Sequence, residues 1–267
     1  MLRSSSAHAK FSLDTSNASK AKGVVRIFVG TDMEVGSIPC GWQVDSKDGT
    51  PMREPAHPPI AKDKVRYVGE IIAVIIAETL EDAKNAAELI DVNYDDIPVI
   101  IDMQEALDNS KGLVHDEIES NVCYDWEIGD SEAVDKAISE AAHITSLDIR
   151  NNRLIPNAIE TSSAIGDYEH ATGQYTLYTT SQNPHVIRLL MGAFVLGLPE
   201  HKLRVIAPDV GGGFGSKINV YNEEIVCSWA SKKIERPIKW VAERTESFLT
   251  DTHGRDHVTH AELAVTN

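Results

Sequence analysis

Residues 209–224, DVGGGFGSKINVYNEE, place three consecutive glycines, an aromatic residue and Gly215-Ser216-Lys217 ahead of a helix-like stretch. With the strand-like LRVIAPD before it, this order presents bare backbone N–H groups where a helix starts. Such groups converge on polar or anionic ligands, helped by the positive end of the helix dipole. Glycine removes the Cβ that would hold the ligand off. Two familiar forms of the device do not fit. A phosphate-binding P-loop needs Gly-Lys-Ser/Thr, whereas the order here is Gly-Ser-Lys, and a dinucleotide fingerprint aligned on Gly211 and Gly213 requires glycine where Ser216 stands. By pattern alone, a tight turn with close strand–helix packing accounts for the glycines equally well. A second segment, TSQNPH at 180–185, also joins a strand-like stretch to a helix-like one, and there Gln182 offers an amide that both donates and accepts. If both segments lie at the ends of neighbouring strands, they face one crevice. A competing reading is a non-catalytic nucleotide- or phosphate-binding module in which Lys217 neutralises an anion. A third is a scaffolding domain whose glycines only pack.

The elements that must position these residues are legible in outline. Strands are expected at 144–149, 163–169 and 174–180, the last two joined by the HATG turn. NPHVIRLLMGAFVLGLPE reads as a helix with Asn183 as cap, Pro184 at its first position and Gly197 just beyond its end. Val220, Ile225, Cys227 and Trp229 share a further helix, and Asp130 caps one whose Val134, Ala137, Ile138 and Ala141 form an apolar stripe. Upstream, GEIIAVIIAE reads as a strand buried on both faces, and TLEDAKNAAELI as a helix capped by Thr79. DVNYDD follows as a second strand, so the three make a β-α-β unit with a right-handed crossover. The Pro-, Gly- and charge-rich segment 40–63 is an exposed excursion, and the weakly periodic residues 108–130 form the best linker. The expected organisation is an α+β protein with one domain over 1–110, a linker over 111–130 and a second domain over 131–267.

Composition limits the function classes. The 267 residues carry 25 Lys and Arg against 41 Asp and Glu, a formal net charge of −16, and that field argues against nucleic acid as a partner. No apolar run approaches the length of a membrane span, and MLRSSSAHAK lacks the apolar core of a signal peptide. Cys40, Cys123 and Cys227 lie far apart without a C-x-x-C pair, which fits reduced thiols in the cytoplasm and excludes an iron–sulfur cluster ligated within this chain.

The ordered series RSSSAHAK, VRYVGEIIAVIIAETLEDAKNAAELIDVNYDDIPVI, NRLIPNAIE, TSQNPHVIR, RVIAPDVGGGFGSKI, RPIKWVAERTESF and HGRDH resembles the molybdenum-binding large subunit of the xanthine dehydrogenase/aldehyde oxidase family. The likeness is greatest to its aerobic carbon monoxide dehydrogenase type, and it covers nearly the whole chain. It implies an α/β hammerhead domain followed by the first part of a molybdopterin-binding domain. It implies a molybdenum–molybdopterin cofactor, with the cytosine dinucleotide form as one candidate, and a metal held by the pterin dithiolene with no direct protein ligand. Gln182 would hydrogen-bond an oxo ligand of the metal, and Gly212, Gly213, Phe214, Gly215 and Ser216 would approach the cofactor through the backbone. The implied partners are an iron–sulfur small subunit with two [2Fe-2S] clusters and an FAD-binding medium subunit. The implied substrate is carbon monoxide, an aldehyde or an N-heterocycle. Ile218 stands where purine oxidisers carry a glutamate, which puts xanthine in doubt, and the family's general-base glutamate falls beyond Asn267, so a fragment is expected.

Other residues have duller explanations. Strand alternation puts His257 and His260 on opposite faces, which does not suit the convergent geometry of zinc. Arg153 and Glu160 form either a buried ion pair near the site or a solvated one. Arg255 and Asp256 are expected to make structural hydrogen bonds, and Glu243, Arg244 and Glu246 to form a polar helix start.

Overall fold

The computed structural model describes all 267 residues. Six of the seven residues of IIAVIIA are buried, so strand β5 needs cover on both faces. The fold supplies it by making β5 a central strand. β1 (Leu2–Arg3), β2 (Ala9–Asp14), β3 (Val24–Val29) and β4 (Lys64–Val65) come before β5 (Ile71–Ala77), and β5 lies antiparallel between β1 and β3. Helix α1 (Leu80–Ala87) follows, and its Thr79 Oγ1 accepts from the Asp82 N–H at 3.1 Å as expected of its cap.

Strand β6 (Asp91–Asp96) departs from the expected β-α-β unit. It does not return to the sheet of β5 but pairs antiparallel with β2 in a second sheet of order β4-β2-β6. Only its Val92 and Tyr94 turn inward, the pattern of an edge strand with one wet face, so α1 carries the chain between two antiparallel sheets. The 40–63 excursion runs over the surface until Ile60 and Ala61, which are buried.

After the short α2 (Met103–Ala106), the chain has no helix or strand until α3 (Ser131–Ser139), which Asp130 caps by accepting from Ala133 N–H at 2.9 Å. β7 (His143–Asn151), β8 (Ser163–Glu169), β9 (Gln174–Thr179), α4 (Pro184–Leu189), β10 (Leu203–Ile206), α5 (Asn222–Ile234), β11 (Ile238–Val241), α6 (Arg244–Thr250) and β12 (His257–Val265) complete the chain. A four-stranded sheet of order β10-β9-β8-β11 backs the glycine loop; its β9 and β10 are parallel, with Tyr175 opposite Leu203 and Tyr178 opposite Ile206. Helix α5 lies on β8 so closely that a Cβ on Gly166 would stand 2.4 Å from the Cys227 carbonyl. Val220 precedes α5, while Ile225, Cys227 and Trp229 are buried within it.

The largest apolar cluster draws on both ends of the chain. Phe28, Ile60, Ile71 and Val74 join Leu177, Ile187, Met191, Leu203, Ile225 and Trp229, and the Phe28 and Trp229 rings meet edge-on at 4.8 Å. Arg3 of β1 donates to Glu223 of α5 at 2.6 Å and to Glu246 of α6 at 2.8 Å, so a nearly buried guanidinium bridges the same two regions. The expected stripe on α3 is not buried: Val134 and Ala137 are exposed, and Ile138 and Ala141 are half-covered. The α3 helix accompanies a two-stranded ribbon of β7 and β12 whose one face carries Leu147, Ile149, Ala261, Leu263 and Val265, all exposed. In that ribbon His257 lies opposite Asn151 and His260 opposite Asp148, which puts the two imidazoles on opposite faces. No helix is long and apolar enough to cross a membrane.

Candidate functional site

The parallel pairing of β9 and β10 brings their carboxyl ends side by side, and the chain leaves each through one of the two singled-out segments. From β9 it passes Thr180, Ser181 and Gln182 into α4. Asn183 occupies the cap position without a side-chain capping bond; its own N–H is bound by Ser181 Oγ at 2.9 Å. The α4 helix then widens into a π-helical turn over Leu190–Val195 and ends before Gly197, whose φ is +63°. From β10 the chain passes through the glycine loop into a 3-10 turn, Ser216–Ile218.

Three loop residues hold left-handed backbone: Gly212 at φ +100°, Phe214 at +53° and Gly215 at +94°. For phenylalanine this conformation is strained, and strain of that kind persists only where surroundings over-determine it. Here the surroundings are specific. The Gln182 Oε1 accepts the N–H of Gly215 at 3.0 Å and of Lys217 at 3.3 Å, and Gln182 N–H donates to Lys217 O at 2.8 Å. A Cβ on Gly213 would stand 2.3 Å from Gln182 Oε1, so glycine is required there for the amide to lie flat on the loop. Since both partners of Oε1 are donors, the amide orientation is fixed, and Nε2 is left as a donor with no partner in the chain.

A second clamp holds the opposite side. Glu160 Oε2 accepts from Gly211 N–H at 2.7 Å and from Lys217 Nζ at 3.2 Å, and Nζ also donates to Glu160 O at 2.9 Å. The Lys217 side chain is 2 % exposed, so its charge is spent internally and does not face a ligand. That removes the role Lys217 would have in the anion-binding alternative. Arg153, the other candidate partner of Glu160, is bound to Asp256 at 2.6 Å, an exposed pair that also gives Asp256 its structural role. Tyr221 OH donates to Ser216 O at 2.5 Å, and burial pushes this phenol up to about 12. Arg244 donates to Asn157 Oδ1 at 2.8 Å and to Ile159 O at 2.7 Å, fixing the segment that carries Glu160.

These bonds divide the expected site residues. Gly215 and Ser216 belong to the clamp: the Gly215 amide is taken by Gln182, while the Ser216 amide and hydroxyl both donate to Gly213 O, at 3.0 and 2.9 Å. Ser216 is also 3 % exposed, so its side chain cannot meet a ligand. Gly212, Gly213 and Phe214 keep main-chain N–H groups with no acceptor in the chain; Gly213 itself is buried and Gly212 half-covered, and the Phe214 ring beside them is 76 % exposed. An exposed ring over bare amides and one aimed carboxamide can hold a flat, acceptor-rich ligand.

Larger concavities lie elsewhere. One of about 410 Å³ is lined by Cys40, Arg53, His57, Arg66 and Cys123, and another of about 420 Å³ by Ile101, Met103, His115 and Arg153. Neither touches Gln182 or the loop, and size alone does not outweigh free donors on a strained turn. No cluster of His, Cys, Asp or Glu could hold a metal ion directly. Sequence reasoning missed the Glu160–Lys217 clamp and Tyr221. The available signal was a lysine ending a glycine loop, where a charge can as easily turn inward as outward.

Residues 114–267 match the model of the molybdopterin cofactor-binding domain, and residues 1–98 match that of the aldehyde oxidase and xanthine dehydrogenase a/b hammerhead domain. The chain is 32% identical to the carbon monoxide dehydrogenase large chain of Afipia carboxidovorans, over 99% of this chain and 33% of that protein. It is 31% identical to the nicotine 6-hydroxylase large subunit of Paenarthrobacter nicotinovorans, over 98% of this chain and 32% of that one. The solved structure of reconstituted CO dehydrogenase from Oligotropha carboxidovorans superposes with a TM-score of 0.89 at 31% identity, covering 99% of this chain and 34% of its own. The chain therefore spans about a third of the length of these relatives.

Proposed function

Because the chain belongs to the aldehyde oxidase and xanthine dehydrogenase family, joining its hammerhead domain to its molybdopterin-binding domain, we propose that the Gln182–Phe214 surface holds a molybdenum–molybdopterin cofactor. The observation that carries this is the division of labour at Gln182. Its carbonyl is committed to Gly215 and Lys217, which leaves Nε2 as the donor offered outward beside the free amides of Gly212, Gly213 and Phe214. These groups fit a planar ligand rich in acceptors, and a Cβ at Gly213 would push the Gln182 amide out of its place. When bound, molybdenum held by the pterin dithiolene supplies two-electron oxidation with water-derived oxygen.

The chain's own contribution is positional. Gln182 orients an acceptor atom of the cofactor, the 212–214 amides fix its plane, and Glu160 with Lys217 keeps the loop from yielding. The substrate is carbon monoxide, an aldehyde or an N-heterocycle, and the half-exposed Ile218 offers a purine no polar partner. The dinucleotide form of the pterin, the iron–sulfur and FAD-binding partner subunits and a cytoplasmic location belong to the same proposal, which rests on the large-subunit relatives.

The test is pterin content. Gln182→Glu keeps the acceptor that holds the loop but removes the donor, so full-length protein carrying it should purify folded with at least ~10-fold less molybdopterin, as follows from losing ~1.4 kcal/mol of binding. A nucleotide copurifying in place of pterin, or unchanged pterin in both Gln182→Glu and Gly213→Val, would overturn the assignment.

A further inference from the structure

Behind the loop, Glu224 sits in the first turn of α5 with its side chain enclosed, in a helix whose residues from Glu223 to Ser231 are all buried. Its neighbour Glu223 is paired with Arg3, but nothing positive is paired with Glu224. The side-chain cations nearby are committed elsewhere, Arg3 to Glu223 and Glu246 and Lys217 to Glu160, and burial lowers the Met1 amine, which disfavours its charged form. Glu224 Oε2 accepts from the Tyr221 N–H at 2.9 Å, and Oε1 lies 2.5 Å from Thr179 Oγ1. Thr179 Oγ1 is in turn 3.3 Å from Ser163 O.

The threonine hydroxyl has one proton and cannot serve both neighbours. If it donates to Ser163 O, the short contact to Glu224 is filled only when the carboxyl donates. Ser163 O also accepts from the Thr180 N–H at 3.2 Å, so both arrangements fill the hydrogen bonds and the enclosed charge decides between them. The ionised alternative leaves a buried charge with two donors and no cation, which costs far more than a neutral acid. A cavity of about 10 Å³ next to Glu224 is lined by Ser162, Ser163, Thr179, Thr180, Lys217 and Trp240 among others, and it offers no unspent positive charge.

We infer that Glu224 is a positioning residue for the glycine loop and acts as a neutral carboxylic acid, tying the end of β9 to the start of α5. Through Tyr221, whose N–H it holds and whose hydroxyl grips Ser216 O, it fixes the exit of the loop that Gln182 and Glu160 fix from the other sides. The inference does not depend on which ligand the loop binds. Burial agrees with it by pushing this carboxyl from 4.5 up to about 7. The other ionisable groups around it are Glu223 and Cys227 on its own helix, Tyr221 at the helix cap, Lys217 from the loop, Arg3 from β1, the Met1 amine before it, Glu246 from α6 and Asp251 at the end of α6. Of these, Asp251 is also raised by burial, so it must be separated from Glu224 by experiment.

A carboxyl raised in the folded state holds a proton that the opened state releases. Its stabilisation is therefore complete below its ordinary value of 4.5 and lost as pH rises to about 7. In the full-length protein, hydrogen exchange over residues 210–227, corrected for intrinsic base catalysis, should show the opening equilibrium rising by up to about tenfold per pH unit across that window and levelling off above it. Glu224→Gln donates to Thr179 and accepts from Tyr221 as the neutral acid does, so it should be as protected as wild type at low pH and show no rise. Glu224→Leu should open the loop at every pH. A wild-type profile without the rise overturns the inference, and so does a rise that persists in Glu224→Gln, which would belong to Asp251. Failure of Glu224→Gln to fold also overturns it, because the amide reproduces the neutral form.

Discussion

At the scale of single residues the site is a pair of clamps, and each clamp is asymmetric in what its loss would do. Lys217 is almost fully buried while Glu160 is 37% exposed, so the two partners are not equivalent. Glu160→Ala strands a buried ammonium with only a main-chain acceptor and should cost about 3 kcal/mol, toward the lower end for breaking a buried pair. Lys217→Met leaves a carboxylate that water can reach, and its cost should be clearly smaller. Urea denaturation of the two variants checks the order; equal losses would mean that the pair is solvated. The loop glycines and Gln182 were legible in the sequence because their chemistry is local, each ending a strand and opening a helix. The partner of Glu160 was not. Choosing between Arg153 and Lys217 depends on the turn at 157–160, where Asn157 takes φ +51° and Arg244 reaches in from α6.

At the scale of elements, the close seat of α5 on β8 keeps the loop, α5 and Gln182 in one frame. Gly166→Ala would place a methyl 2.4 Å from the Cys227 carbonyl, with backbone and not a pliable side chain on the far side. We expect a loss of about 3 kcal/mol and a lowered melting temperature, with loop protection falling in parallel. A neutral outcome would show that α5 can shift without consequence. Most elements around the site were foreseeable, since the β8–β9 hairpin, β10 and α4 carry turn, alternation and proline signals where the structure places them. Two features were not. The strand DVNYDD has the same alternation whether it joins the sheet of β5 or another, and only its wet face selects the edge beside β2. The α5 helix carries Glu223 and Glu224 in its first turn, both buried, and sequence spacing cannot reveal partners that come from β1 and β9.

At the scale of the whole molecule, the expected boundary near residue 110 is crossed by the largest apolar cluster and by Arg3. The 9 % exposed Arg3 side chain neutralises two carboxylates on different helices. Arg3→Ala should therefore cost about 3–5 kcal/mol and should lower protection in β5 and α5 together when followed by hydrogen exchange. Loss confined to β1 would mean that the regions are energetically separate. The charge of the surface has a different consequence at the ribbon of β7 and β12, where Leu147, Ile149, Leu263 and Val265 lie in the open. Like-sign repulsion from an excess of 16 negative charges keeps such faces apart. Its reach shrinks from about 30 Å in 10 mM salt to about 8 Å at 0.15 M. Brine that leaves the fold untouched would then cloud a concentrated solution, because greasy ribbons find one another once the ionic cushion between them collapses.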